Sequence, residues 1–128
     1  MIFLVILVAI VVLITVFLLL KFLFPLAVVE GDSMYPTLKE GEELICRRLF
    51  FKKHCKVNKI YVIHLRDDEN KEPYYIIKRL DKVVKDDNYW FLGDNSLVSY
   101  DSRQYGSIKP EQVVAVVLRK VRNNNNGS

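Results

Sequence analysis

Charged side chains are absent from the first twenty residues, and this absence excludes an ordinary soluble start to the chain. From Ile2 to Leu20 the only polar side chain is Thr15. A helix rising about 1.5 Å per residue needs roughly 20 such residues to cross a bilayer core, so one membrane span is predicted. A basic start and an Ala-x-Ala cleavage site are also lacking, which makes the segment a retained anchor rather than a cleaved secretory signal. The rest of the chain is too short to surround so uniformly apolar a rod, which argues against a buried core helix. Lys21 is placed to snorkel toward headgroups, and Phe22, Phe24 and Pro25 mark the interface and the helix end. Because only Lys21 and Lys39 are basic near the span, flanking charge leaves its orientation open.

Histidine and cysteine are scarce, with two of each. His54 and His64 read as surface or strand residues, so a histidine-based hydrolase is disfavoured. Neither the order nor the spacing of Cys46, His54, Cys55 and His64 fits common zinc patterns, and no metal or cofactor is expected. Cys46 and Cys55 are close enough in sequence to bridge a hairpin, with two free thiols as the alternative. The 19 basic and 15 acidic residues are dispersed rather than gathered in a stripe, which argues against nucleic acid and leaves a mild excess suited to anionic lipid.

Beyond Pro25 about 100 residues remain, enough for one small domain. Val28 to Glu30, Glu43 to Arg48, Ile60 to Leu65, Tyr74 to Leu80, Tyr89 to Leu92 and Val113 to Val121 are rich in β-branched and aromatic residues and read as strands. Turn chemistry separates them at Lys39-Glu40-Gly41-Glu42, Arg66-Asp67-Asp68-Glu69-Asn70 and Lys85-Asp86-Asp87-Asn88. The predicted fold is mainly β: a small antiparallel barrel or folded sheet over residues 26–122, preceded by an anchor over 1–25 and followed by a disordered tail over 123–128.

Three blocks carry the chemistry. Gly31-Asp32-Ser33-Met34-Tyr35-Pro36-Thr37-Leu38 puts a candidate nucleophile just beyond the apolar segment. Ile76-Ile77-Lys78-Arg79-Leu80 sets a lysine among apolar neighbours, where desolvation would lower its pKa and let a neutral amine take the serine proton. Alternation puts Arg79 on the opposite face, where it packs or pairs at the surface. Gly93-Asp94-Asn95 is followed by Ser99, Asp101, Arg103 and Gly106. Alone, the second block is an ordinary strand and the third an ordinary polar loop. Together and in this order they resemble the type I signal peptidases, over about residues 26 to 118.

That resemblance implies a membrane-bound serine endopeptidase that removes signal or leader peptides from translocated precursors. Ser33 would be the nucleophile and Lys78 the general base and then general acid. Ser99 would orient the Lys78 amine, Asp101 and Arg103 would form a supporting ion pair, and the Ser33 backbone N–H beside Gly31 would serve the oxyanion. It implies a plasma-membrane protein with its catalytic domain outside the cytoplasm. Its partners would be precursor proteins, membrane lipid and the translocation machinery. Small side chains would be favoured before the cut, and the substrate would bind extended beside Leu26 to Gly31 and Tyr74 to Ile77.

The chain departs from the family at three places. Gly31 stands where many members carry an oxyanion Ser or Thr. Val57-Asn58-Lys59-Ile60-Tyr61 replaces the usual Gly-Asp-hydrophobic entry to the lysine-bearing region. The Lys78 to Gly93 interval has no room for a large cap, and this compactness also resembles the maturation proteases of nickel-type superoxide dismutase, each dedicated to one client. Two other readings are a catalytically idle membrane-tethered β domain that binds peptides and a self-cleaving repressor-type Ser/Lys protease. Retention of the dyad side chains disfavours the first, and the anchor disfavours the second.

Overall fold

A computed structural model describes residues 1–50, 54–66 and 73–122. Helix α1 (Ile2–Leu23) has a mean hydropathy of 3.6 over its most apolar window and buries none of it, so it is long and apolar enough to cross a membrane. Thr15 satisfies its hydroxyl within the helix by donating to the Val11 carbonyl at 2.8 Å. The Phe24 N–H closes the last turn onto Leu20, and Pro25, which has no N–H to give, ends it.

Six strands follow: β1 (Leu26–Val28), β2 (Glu43–Arg48), β3 (Ile60–Arg66), β4 (Pro73–Val83), β5 (Tyr89–Leu92) and β6 (Val113–Arg122). They form one antiparallel sheet in the order β1-β2-β6-β3-β4-β5. The sheet is folded but not closed, so the barrel half of the sequence expectation gives way to an open sheet with β1 and β5 at its edges. The first strand begins at Leu26 rather than Val28, because Leu26, Ala27 and Val28 pair with Ile45, Leu44 and Glu43. β4 runs three residues past Leu80, since β5 pairs with its second half after β3 has paired with its first. Turns at Lys39–Glu42 and Lys85–Asn88 fall where the polar runs predict them, with Gly41, Asp86 and Asp87 at positive φ. The predicted turn over Asp67–Asn70 and the predicted tail over 123–128 lie outside the described residues.

Both faces of the central strands are covered. Tyr61, Ile63 and Leu65 of β3 join Leu80, Phe91, Ile108 and Val113 in one cluster, whereas Val62 joins Cys46, Leu44, Met34 and Ala115 in the other. The period-two alternation of β3 thus feeds two cores, which is why Ile60–Ile63 reads as a continuous apolar run. The second cluster carries the loop between β1 and β2, whose Val29, Met34 and Leu38 are buried in it. That packing fixes the segment holding Ser33.

Candidate active site

Ser33 and Lys78 are 45 residues apart in sequence and in hydrogen-bond contact, Lys78 Nζ lying 2.6 Å from Ser33 Oγ. The lysine is 5% exposed. Burial lowers its pKa from the ordinary lysine value, and the negative charge of Asp101 opposes that shift. A hydroxyl within reach of an amine biased toward its neutral form can be deprotonated in place.

The Ser33 loop is held by backbone and side-chain bonds to the Gly93–Asn95 segment. Asn95 donates its backbone N–H to the Ser33 carbonyl at 2.8 Å and its side-chain amide to the Asp32 carbonyl at 3.1 Å. The Asp94 N–H points at Met34 Sδ at 3.4 Å. Asp94 accepts two bonds from Arg79, at 2.8 and 2.7 Å, and one from Thr37 Oγ1 at 2.6 Å. Hydrogen bonding from Arg79 holds the Asp94 carboxyl below the usual carboxylate range. Neighbouring β4 residues thus have different partners: Lys78 meets Ser33, while Arg79 holds Asp94, which in turn accepts from Thr37 of the loop before β2. Strand alternation anticipated the opposed faces but not the partner, since Asp94 approaches only through the fold.

Gly93 is the tightest point of the site. A Cβ there would lie 2.1 Å from Ser99 Oγ, 2.6 Å from Ser99 Cβ and 2.7 Å from the Ser33 carbonyl oxygen. No side chain fits between these two serines. The Gly-Asp-Asn run was visible in the sequence, but the contact that demands glycine was not.

Asp101 organises the floor. Its fully buried carboxylate accepts from the Gly93 N–H at 2.8 Å, Ser99 Oγ at 2.6 Å, the Arg103 N–H at 3.1 Å, and Arg103 Nε and Nη2 at 2.9 and 2.7 Å. Asp101 and Gln104 also form a capping box for the short helix α2 (Ser102–Tyr105). Burial alone would raise the Asp101 pKa, but bonds from Arg103, Gly93 and Ser99 outweigh it and hold the carboxyl well below the usual range. The Ser99 hydroxyl therefore points to Asp101, and Lys78 directs its hydrogen bond to Ser33.

Asp101→Ala is expected to lower stability by about 3 kcal/mol, because it strands buried donors and an arginine together. Thermal melts of the detergent-solubilised protein check this by a lowered Tm. With its pKa depressed, Asp101 contributes fully above the ordinary value of about 3.9 and progressively less as pH falls through the folded value. The Tm difference between parent and variant should therefore shrink in acid.

Gly31 has φ +75° and open space where a Cβ would sit. The obstacle to a side chain there is backbone strain rather than a clash. Gly31→Ser is expected to cost about 1 kcal/mol of stability from the left-handed conformation. Chemical denaturation checks this by a lower midpoint at an unchanged slope.

A cleft of about 660 Å³ opens beside Ser33 and Lys78, lined by the Pro25–Glu30 segment, Met34, Cys46, Arg48, Tyr74–Ile77 and Ala115 among others. β1 has a sheet neighbour on one side only, and the Pro73–Lys78 part of β4 pairs with β3 but not with β5. Two strand edges therefore border the cleft. Cys46 and Cys55 form no disulfide with each other. Burial pushes the Cys46 thiol up to about 11, which makes it an inert wall of the cleft.

The family model described as signal peptidase, peptidase S26 matches residues 2–81 and 77–121, nearly the whole chain. The chain belongs to the signal peptidase family, peptidase S26. It is also similar to mitochondrial inner membrane protease subunit 1 of Schizosaccharomyces pombe, with 26% identity over 121 residues, covering 79% of this chain and 75% of the relative. Family membership supports a peptidase role in signal-peptide removal, and the apolar helix together with a membrane-protease relative supports a membrane protein.

Proposed function

We propose that the protein is a membrane-anchored serine endopeptidase that removes N-terminal signal or leader peptides with a Ser33/Lys78 dyad. The observation that carries this reading is the 2.6 Å contact between Ser33 Oγ and the buried Lys78 amine. Neutral Lys78 takes the Ser33 proton as Oγ attacks the scissile carbonyl, then returns it to the leaving amine. Lys78 next activates a water, which hydrolyses the acyl-enzyme and frees Ser33. The Ser33 backbone N–H, two residues after Gly31 and its open space, serves the developing oxyanion. Asp101, paired with Arg103, keeps Ser99 and Gly93 in place beneath the dyad.

The substrate lies extended between the edge of β1 and the free part of β4, adding a strand to each. Apolar walls that include Ala27, Val29, Met34 and Ala115 suit small side chains before the cut. The anchor holds the cleft at the plasma membrane on the extracytoplasmic side, where a precursor's cleavage site emerges, and raises its effective concentration. The β4–β5 connection, Val84–Asn88, carries no cap, and this brevity favours as a second reading a protease dedicated to one client, such as a nickel-type superoxide dismutase.

Comparing N-terminal peptides from membranes with the active protein and with its Ser33→Ala form tests both readings. Uncleaved precursors accumulating across many exported proteins support general processing. Accumulation of a single precursor supports the dedicated reading, and an unchanged set rejects both.

A further inference from the structure

On the opposite sheet face from the cleft lies a small recess of about 100 Å³, lined by Arg47, Leu49, His54, Cys55, Lys56, Lys59, Tyr61 and Val116. Strand register fixes the separation: Arg47 and Tyr61 both pair with Val116, whereas Cys46, Val62 and Ala115 face the cleft. No Asp or Glu among the described residues lines the recess. Among the described residues, Arg47, Lys56 and Lys59 have no ion pair, although other basic side chains such as Arg79, Arg103 and Lys120 do. Three basic residues thus line one hollow without an acidic partner among the described residues.

The fold places this hollow close to the bilayer. Arg48, next to Arg47, donates Nε to the Phe22 carbonyl at 2.9 Å and stacks its guanidinium 4.4 Å from the Phe22 ring. Phe50, next to Leu49 of the recess wall, packs its ring 6.2 Å from the same Phe22. Phe22 belongs to the last turn of α1, where the helix leaves the apolar core for the headgroup layer. The end of β2 is therefore tied to the membrane interface, and the recess is tied to the end of β2.

We propose that this recess binds the phosphate group of an anionic membrane lipid. Arg47 supplies a planar donor fork, and Lys56 and Lys59 supply point charges around a hollow suited to one tetrahedral oxyanion rather than a peptide. A bound headgroup would complete the recess electrostatically and fix the domain's tilt over the bilayer, so that the cleft on the other face stays within reach of emerging substrate. This proposal does not depend on the dyad assignment, because lipid retention is read without any cleavage.

The test uses the full chain in nanodiscs of phosphatidylcholine containing a minor fraction of phosphatidylglycerol, with retained lipids identified by native mass spectrometry. The parent should keep phosphatidylglycerol above its bulk fraction. The Arg47→Gln/Lys56→Gln/Lys59→Gln variant should lose that preference by about tenfold or more, since each basic residue near an anionic surface contributes about fivefold. Lys82→Gln/Lys85→Gln/Lys109→Gln removes the same charge elsewhere and should leave the preference intact. Equal loss in both variants, or loss in neither, would overturn the site. A second arm titrates inorganic phosphate into the parent in neutral detergent: saturation there, with no phosphatidylglycerol preference in nanodiscs, would identify a soluble anion and overturn the lipid assignment. Thermal melts of both variants distinguish lost lipid from lost folding, and a Lys56→Arg/Lys59→Arg variant, which keeps the Arg47 fork and all three charges, should retain the lipid.

Discussion

Ser33→Ala and Lys78→Ala are each expected to lower kcat/KM for a precursor peptide by about 10⁴-fold or more, with α1 still inserted and the sheet intact. The size follows from the proposed mechanism, in which one change removes the atom that forms the acyl bond and the other removes its base, and members of such a unit fail together rather than additively. The double variant should therefore be no slower than the worse single one. Purified protein from a host lacking its own peptidase background is needed, and near-parental turnover by either variant refutes the dyad. Lys78→Ala also deletes a buried amine from a cleft wall, so unaltered melts would place its effect in the chemistry.

Gly93→Ala is expected to produce the largest loss of any substitution that leaves every reacting group present. A methyl at this position meets Ser99 and the Ser33 carbonyl at distances no packed structure accepts, so the Ser33 loop and the Ser99 loop must part. Displacing the nucleophile by about 1 Å is enough to cost about 10²-fold in rate. The accompanying strain should remove about 1–3 kcal/mol of stability. Single-turnover kinetics and melts on the same preparation check both numbers. A variant with parental acylation would show that Ser33 does not rely on this contact.

The sequence made the strands legible where alternation and β-branching were dense. Glu43–Arg48 and Tyr89–Leu92 agree at both ends; turn residues precede both, and Gly93-Asp94-Asn95 closes the second. The ends of β1 and β4 were less legible, since pairing extends a strand wherever a partner lies alongside, and the partner is remote in sequence. Whether the sheet closed was equally hidden, because closure depends on how far twist carries the edges, not on local composition. At the site, residue types and order pointed to Ser33 and Lys78, and the fold brings them together. What the chain order could not express was the wiring around them. Arg79 and Asp94 meet across the fold, Asn95 reaches back to Ser33, and Ser99 turns to Asp101 while Lys78 turns to Ser33. The Arg79–Asp94 and Lys78–Ser33 contacts span 15 and 45 residues and the Ser99–Asp101 bond spans 2, and all depend on loop geometry, where no periodicity applies.

The most direct test of the dyad is the pH dependence of kcat/KM for a precursor peptide, measured in the parent and in a His54→Gln/His64→Gln variant. Because Lys78 must be neutral to accept the Ser33 proton and burial lowers its pKa, activity should rise along a limb with its midpoint below the ordinary lysine value of about 10.4. That limb should be unchanged when both histidines are replaced. A limb near about 6.5 that disappears in the histidine variant would assign the base to histidine and contradict the Ser33/Lys78 mechanism.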